Sequence, residues 1–159
     1  MAHQLARAEH WRLTLGLEKC YISDAAERIL AAVVDRAGSG PISCNALAHE
    51  LFEADDSEAD AAFTHFGVRR ELRLALLTLA YERIERPTPN STLNGVVPVT
   101  ARLRRVLACS VHDGSIATGG LLVGLLADDR TRLARLCAVM GLTAESVSAT
   151  LTRAQRVQQ

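Results

Sequence analysis

The chain has 159 residues, of which 48% are hydrophobic and 23% charged, a composition typical of a globular protein with one domain or two small halves that share a core. Eighteen acidic residues balance eighteen basic ones, so no net charge draws the chain toward nucleic acid or an anionic membrane. No apolar run approaches the roughly 20 residues that cross a bilayer, and the N-terminal stretch lacks the apolar segment of a secretory signal. We therefore expect a cytoplasmic protein without nucleic-acid or membrane partners.

The N-terminal extension, residues 1–20, is predicted to contain one helix. Residues 3–17 can place Leu5, Trp11 (or Leu13) and Leu15 on one apolar side, and Gly16 weakens the end of that helix. A helix of this kind packs on the main body or serves as an arm that binds a partner.

A first unit, residues 21–86, is predicted to form four helices. Ser23 is a good N-cap for the first, and Gly67 is expected to end the third in a left-handed conformation. The four are predicted from Ser23 to the breaker run at 38–41, then at about 45–53, 55–67 and 69–86.

The fourth helix of this unit is long, and its spacing predicts that Leu72, Leu76 and Leu79 face inward. Residues 87–96, PTPNSTLNGV, follow as a linker, because their two prolines and Gly95 cannot continue a helix.

A second unit, residues 97–155, is again predicted to form four helices. The segment HDGS at 112–115 breaks the chain after the first of them, and Gly141 stops the third. The predicted helix starts are Thr100, Thr118, the acidic pair at 128–129 and Thr143.

The two units repeat one another. A shift of 77 matches the sequence positions Arg28, Leu30 and Ala31 with Arg105, Leu107 and Ala108. A shift of 74 then matches Ile42, Leu47, Leu51, Asp55 and Gly67 with Ile116, Leu121, Leu125, Asp129 and Gly141. The shift changes in an interhelical loop, where chains tolerate insertions. The repeat predicts two stacked four-helix units about a pseudo-two-fold axis.

Motifs for catalysis and metal binding are incomplete in this sequence. His49 and Glu50 begin like the zinc motif HExxH, but Glu53 stands in place of the second histidine. The acidic run at 55–60 lacks the central glycine of a calcium loop, and no GxSxG frames a nucleophilic serine. The four cysteines have no metal-type spacing and are expected to be reduced. We therefore expect no enzymatic activity, no metal and no cofactor.

Two segments resemble the Clp N-terminal repeat, a family found at the front of AAA+ unfoldases. Residues 99–107, VTARLRRVL, are similar to its opening helix, and residues 116–126, IATGGLLVGLL, to its loop and second helix. Residues 21–67 are a weaker version of the same unit. The resemblance implies an all-α double Clp repeat with an extra N-terminal helix. Because no GxxxxGK[ST] occurs in the sequence, we expect a stand-alone domain without the ATPase modules.

The resemblance also implies a function. The chain would be a non-catalytic protein- or peptide-binding module, acting as adaptor, competitor or ligand-sequestering decoy for a Clp unfoldase–protease system. Its partners would be Clp components, substrate proteins or peptides, or a cyclic-peptide antibiotic. The alternative is a regulatory or structural homodimer that reuses the scaffold without a role in the Clp system.

The binding groove implied by the resemblance lies where the two units meet. Family members place an aromatic residue near the start of each unit, and in some a glutamate in each loop motif helps to recognise phosphorylated arginine. The glutamate positions hold Asn45 and Gly119 here, so neither carboxylate is present, whereas Arg104 keeps the basic character of the groove. The expected site residues are Lys19, Ile22, Val97, Val99, Arg104, Asn45 and Gly119.

Overall fold

The structure, a computed structural model, describes residues 11–37, 41–55, 57–81 and 99–158. Val97, the linker at 87–96 and residues 3–10 of the predicted N-terminal helix lie outside the described residues, whereas residues 11–15 are helical. The other elements are β1 (Tyr21–Ile22), α1 (Asp24–Ala37), α2 (Cys44–Glu53), α3 (Glu58–His65), α4 (Arg70–Ala80), α5 (Ala101–Ser110), β2 (Ser115–Ile116), α6 (Thr118–Ala127), α7 (Arg132–Val139) and α8 (Ala144–Val157).

Helices dominate the described part of the chain, so the predicted all-α class is confirmed. Its two strands contain two residues each and pair with one another. Within the same ranges, no helix is both long enough and apolar enough to cross a membrane.

Side-chain caps determine where most helices begin. The hydroxyl groups accept a hydrogen bond from the backbone N–H three residues later, which satisfies a donor that the helix leaves free. The prediction of N-caps at Ser23, Thr100 and Thr143 is confirmed, and Thr143 forms a capping box with Ser146. The caps are Ser23, Ser43, Ser57, Thr100, Thr131 and Thr143.

The predicted cap at Thr118 is wrong. Ala117 occupies the N-cap position of α6, and Thr118 is already the first helical residue. The Thr118 hydroxyl instead accepts a hydrogen bond of 3.2 Å from the backbone N–H of Ala59, at the start of α3. The Thr118 hydroxyl, which the local sequence predicted to be a cap, is therefore used in a long-range hydrogen bond instead.

Glycines end α3 and α7 in the same way. Gly67 and Gly141 have φ of +71° and +79°, the left-handed conformation that favours glycine, so the predicted helix stops are confirmed. In each case the next residue, Val68 or Leu142, is fully buried. The glycine thus turns the chain so that an apolar side chain enters the core.

The inward face of α4 differs from the prediction. Leu76 and Leu77 are buried and Leu72 is half-buried, but Leu79 is 46% exposed. Arg73 occupies the inward face instead, with 5% of its surface exposed. A periodicity that treats arginine as polar rotates the predicted face away from Arg73 and toward Leu79, which explains the error.

Two short backbone pairings link the halves of the chain, and they are reciprocal. Ile22, before α1, pairs in parallel with Ile116, before α6. Val99, before α5, pairs in parallel with Ile42, before α2. Thus the start of each predicted unit pairs with the loop that precedes the second helix of the other.

One hydrophobic cluster extends through all the described elements. It includes Trp11, Leu15 and Leu17, so the N-terminal segment packs on the main body, as predicted. Arg12 of this segment also forms an ion pair of 3.2 Å with Glu27 on α1. The halves join within this core, because α3 packs on α6 and α4 packs on α7.

Thiol reactivity is expected to follow burial. Cys109 is exposed, whereas Cys137 is fully buried, and burial raises the pKa of the Cys137 thiol from 9.0 to about 12. Iodoacetamide at about neutral pH should therefore alkylate Cys109 and spare Cys137 in the folded chain, which peptide mass spectrometry would measure. Equal labelling rates at the two positions would contradict this arrangement.

The same shift predicts how stability responds to alkaline pH. Because the folded chain keeps the Cys137 proton and the unfolded chain loses it above its ordinary pKa, the free energy of unfolding should decrease as pH rises from 9.0 toward about 12. Replacing Cys137 with alanine should remove this part of the pH dependence in urea titrations.

Candidate partner-binding surface

Two of the three apolar residues of the predicted groove, Ile22 and Val99, lie in the interior, and the third, Val97, is outside the described residues. Ile22 and Val99 are only 5% and 4% exposed. Hydrogen bonds of 3.0 Å beside them, from the Ser23 N–H to the Ile116 carbonyl and from the Thr100 N–H to the Ile42 carbonyl, hold the two cross-pairings together. Ile22 and Val99 therefore fix the junction of the halves, and any surface for a partner consists of the exposed residues next to them.

Exposed residues next to the two pairings include Lys19 and Tyr21, beside the pairing of Ile22 with Ile116, and Arg104, beside the pairing of Val99 with Ile42. We call these three the junction surface. Lys19 lies just before β1, and Arg104 lies in the first turn of α5, where its N–H donates to the Thr100 carbonyl. Tyr21 is 76% exposed and lies on β1 itself.

Sequence reasoning missed Tyr21. The only local signal is the alternation of an extended segment, in which consecutive side chains point to opposite sides, so a buried Ile22 requires an outward Tyr21. An exposed aromatic ring with a hydroxyl is a common anchor in protein interfaces, because it adds apolar area and a hydrogen-bonding group at low entropic cost.

The turn beside Tyr21 is a tight hairpin. Asp113 and Gly114 both have positive φ, +50° and +73°, and the backbone N–H and carbonyl groups of His112 and Ser115 bond to one another at 2.9 and 3.0 Å. Asp-Gly is a favoured pair for such a turn. The Gly114 carbonyl accepts a hydrogen bond of 3.0 Å from the Tyr21 N–H, so the turn holds Tyr21 in place.

The positions that match the loop glutamates of the family lie in the first turns of α2 and α6. Asn45 is half-buried, and its Oδ1 accepts no hydrogen bond from the described residues. Gly119 is buried, and a Cβ atom there would lie 2.5 Å from a Leu151 methyl group and 2.9 Å from a carboxylate oxygen of Glu58. The side chains of Leu151 on α8 and Glu58 on α3 therefore fill the space that a side chain at position 119 would need.

Glu58 was not a predicted site residue. It lies far from Gly119 along the chain, and only the packing of α3 on α6 brings its carboxylate to the start of α6. A carboxylate is favourable there because the N-terminus of a helix carries partial positive charge.

Grouped metal ligands do not occur in the described ranges: no three His, Cys, Asp or Glu side chains are placed to hold one ion. Glu50, part of the incomplete zinc motif, instead forms an ion pair of 2.8 Å with Arg36.

No protein-family model matches this sequence, and no curated protein matches it either.

Proposed function

We propose that the chain is a stand-alone double Clp repeat: two stacked four-helix units related by a pseudo-two-fold axis, with an extra N-terminal helix. In this proposal it is a non-catalytic protein- or peptide-binding module. It acts as adaptor, competitor or ligand-sequestering decoy for a Clp unfoldase–protease system, and its ligands are substrate proteins, peptides or cyclic-peptide antibiotics.

The two reciprocal backbone pairings, Ile22 with Ile116 and Val99 with Ile42, are the observation that carries the proposal. Ile22 and Val99 correspond under the shift of 77, and Ile42 and Ile116 correspond under the shift of 74. Because Ile22 pairs with Ile116 and Val99 with Ile42, exchanging the two halves reproduces these two pairings. A duplicated unit with a pseudo-two-fold axis requires this exchange, whereas two unrelated halves do not.

The helix boundaries support the same relation. The cap pairs Ser23–Thr100 and Ser57–Thr131 and the stop pair Gly67–Gly141 all obey the two shifts. Such agreement extends the repeat from apolar positions to the polar residues that end helices, which a shared helical composition alone does not explain.

The junction surface is the expected binding region. Interface energy concentrates in a few aromatic and arginine side chains, and Tyr21 and Arg104 provide one of each, with Lys19 as a further cation. All three are exposed, so they can contact a partner without opening the core.

Binding is tested by titrating the chain, labelled at exposed Cys109, with a purified Clp unfoldase, an unfolded substrate protein and a cyclic-peptide ligand of the family. We expect a rise in fluorescence anisotropy with at least one of them. Tyr21→Ala or Arg104→Glu should weaken that binding about tenfold, the typical loss for an interface anchor.

The matched control is Arg153→Glu, because Arg153 is also exposed but lies on α8. It should bind like the unaltered chain. Failure of all three ligands to bind, or an equal loss in the control, would refute the proposal.

A homodimer that reuses the scaffold is a second candidate, and the distribution of charge favours it. Residues 21–81 contain ten acidic and five basic residues, whereas residues 99–158 contain four acidic and eight basic ones. Two copies related by a two-fold axis can place each acidic half against a basic half. In light scattering on the same samples, a dimer that dissociates as salt rises, without any Clp ligand bound, would favour this candidate.

A further inference from the structure

A groove of about 440 Å³ lies in the first half of the chain. It is bordered by α1, by the end of α2 and by the start of α4. Ala25 and Ile29 of α1 and Ala54 after α2 provide its apolar part. Its charged lining residues are Arg28, Glu50, Glu53, Asp55 and Arg70. The volume falls within the range of ligand-binding clefts.

We attribute the groove to looser packing of α1 on α2 than of the corresponding helices α5 and α6 in the second half. Under the shift of 74, Glu50 of α2 corresponds to Gly124 of α6. A Cβ atom at Gly124 would lie 2.6 Å from the Val106 carbonyl oxygen and would overlap the Ser110 hydroxyl, so α6 and α5 are in close backbone contact. A glutamate at this position cannot fit such a contact, and its side chain lines the groove instead.

The charges around the groove are unevenly satisfied. Arg36 pairs with Glu50 at 2.8 Å and with Glu53 at 3.9 Å. Arg70 and Asp55 are 3.7 Å apart, and both are highly exposed, so this pair is weak. Arg28 is exposed and has no ion pair in the described part of the chain.

This arrangement specifies the chemistry of a ligand. Arg28 and Arg70 are available to bind an anionic group of a ligand. Glu53 and Asp55, the acidic partners in the two long ion pairs, are available to bind a cationic group. Because Arg28, Asp55 and Arg70 are exposed, the groove is open, and a small molecule would remain largely in water. A peptide segment that extends beyond both ends of the groove would make further contacts with the protein.

We propose that this groove is a second binding site, for an extended peptide segment whose acidic and basic side chains flank an apolar one. The apolar side chain lies against Ala25, Ile29 and Ala54, the acidic one meets Arg28, and the basic one meets Glu53. The inference rests on the proposed peptide-binding function for its ligand class, but not on the junction surface.

The probe is a short fluorescein-labelled peptide that repeats Lys-Leu-Glu, titrated with the whole chain at low salt. We expect Arg28→Glu to weaken binding about tenfold, the effect of losing one charge-assisted contact. The matched control is Arg105→Glu, which reverses an exposed arginine at the corresponding position of the second half. Its affinity should change less than twofold. Ala54→Trp, which fills the groove without altering charge, should also weaken binding, and thermal melting verifies that each variant is folded.

The outcomes separate the groove from the junction surface. No binding of the probe to the unaltered chain, or equal losses in Arg28→Glu and Arg105→Glu, overturns the groove proposal. Loss in Tyr21→Ala but not in Arg28→Glu or Ala54→Trp also overturns it and leaves the proposed function standing. Loss only in the groove variants supports the groove even if every Clp ligand fails to bind.

Discussion

Asp60→Ala is expected to lower the free energy of unfolding by about 3 kcal/mol, the lower end of the cost of breaking a buried ion pair. Asp60 is the carboxylate partner of Arg73, at 2.8 Å, and the Arg73 side chain is only 6% exposed. The Arg73 guanidinium also donates to the Val68 carbonyl at 3.0 Å and lies 4.6 Å from the centre of the Phe63 ring. Without Asp60 the cation remains buried with no counter-charge. Urea denaturation measures the loss.

Arg73→Val should be less destabilising than Asp60→Ala. The Asp60 side chain is 27% exposed and can regain water when its partner is removed, whereas Arg73 cannot. The corresponding positions of the second half hold Ala134 and Val147, both buried, so the fold accommodates an apolar pair at this site.

The double variant Asp60→Ala/Arg73→Val therefore tests the argument. It should be more stable than Asp60→Ala alone, with a coupling energy of about 1 to 3 kcal/mol between the two positions. Asp60→Asn is the milder control, because the amide keeps a hydrogen bond to Arg73 but loses the charge. If the losses of the single variants simply add, Arg73 and Asp60 are not coupled and the buried pair is not what holds α3 to α4.

Local chemistry accounts for the parts of the fold that sequence predicted well. Ser23, Thr100 and Thr143 cap the helices that follow them, and Gly67 and Gly141 stop the helices that precede them, because each acts on backbone groups within a few residues. These features require no knowledge of tertiary packing, so a single sequence is sufficient to predict them.

Tertiary contacts account for the failures. The Thr118 hydroxyl accepts a hydrogen bond from the N–H of Ala59 rather than capping its own helix, and Arg73 replaces Leu79 on the inward face of α4 through a pair with Asp60. In each case a polar side chain finds a partner that local periodicity cannot reveal.

The candidate site was predictable only in part, for the same reason. The resemblance implied a groove at the junction of the halves that includes Ile22 and Val99, and both residues lie in the two pairings that link the halves. It did not indicate that both are buried, that Tyr21 is the exposed neighbour, or that the Glu58 carboxylate reaches Gly119. The exposure of a side chain at the junction depends on how the two halves pack against each other, so the sequence of one half is not sufficient to predict it.

Gly124→Ala is expected to lower the free energy of unfolding by about 3 kcal/mol, the upper part of the usual cost of overpacking a core. The added methyl group would meet the Val106 carbonyl oxygen and the Ser110 hydroxyl, which itself donates to that carbonyl at 2.7 Å. Backbone atoms of α5 cannot move aside as a side chain can, so α5 and α6 must separate. Alanine is otherwise favoured over glycine within a helix by about 1 kcal/mol, so a loss at this position has a steric origin.

Two glycines of the same helix provide the controls for that result. Gly120→Ala would place a methyl group 2.7 Å from the Ser110 carbonyl oxygen, again backbone, and should also destabilise the chain. Gly119→Ala meets only the ends of the flexible Leu151 and Glu58 side chains, which can rotate away, so its free energy of unfolding should change by less than about 1 kcal/mol. If the m-values of urea unfolding are the same for the three variants, their unfolding midpoints rank them by stability directly. If Gly119→Ala proves the most damaging of the three, close contact with α5 is not what selects glycine in α6, and the explanation for the open groove beside Glu50 fails with it.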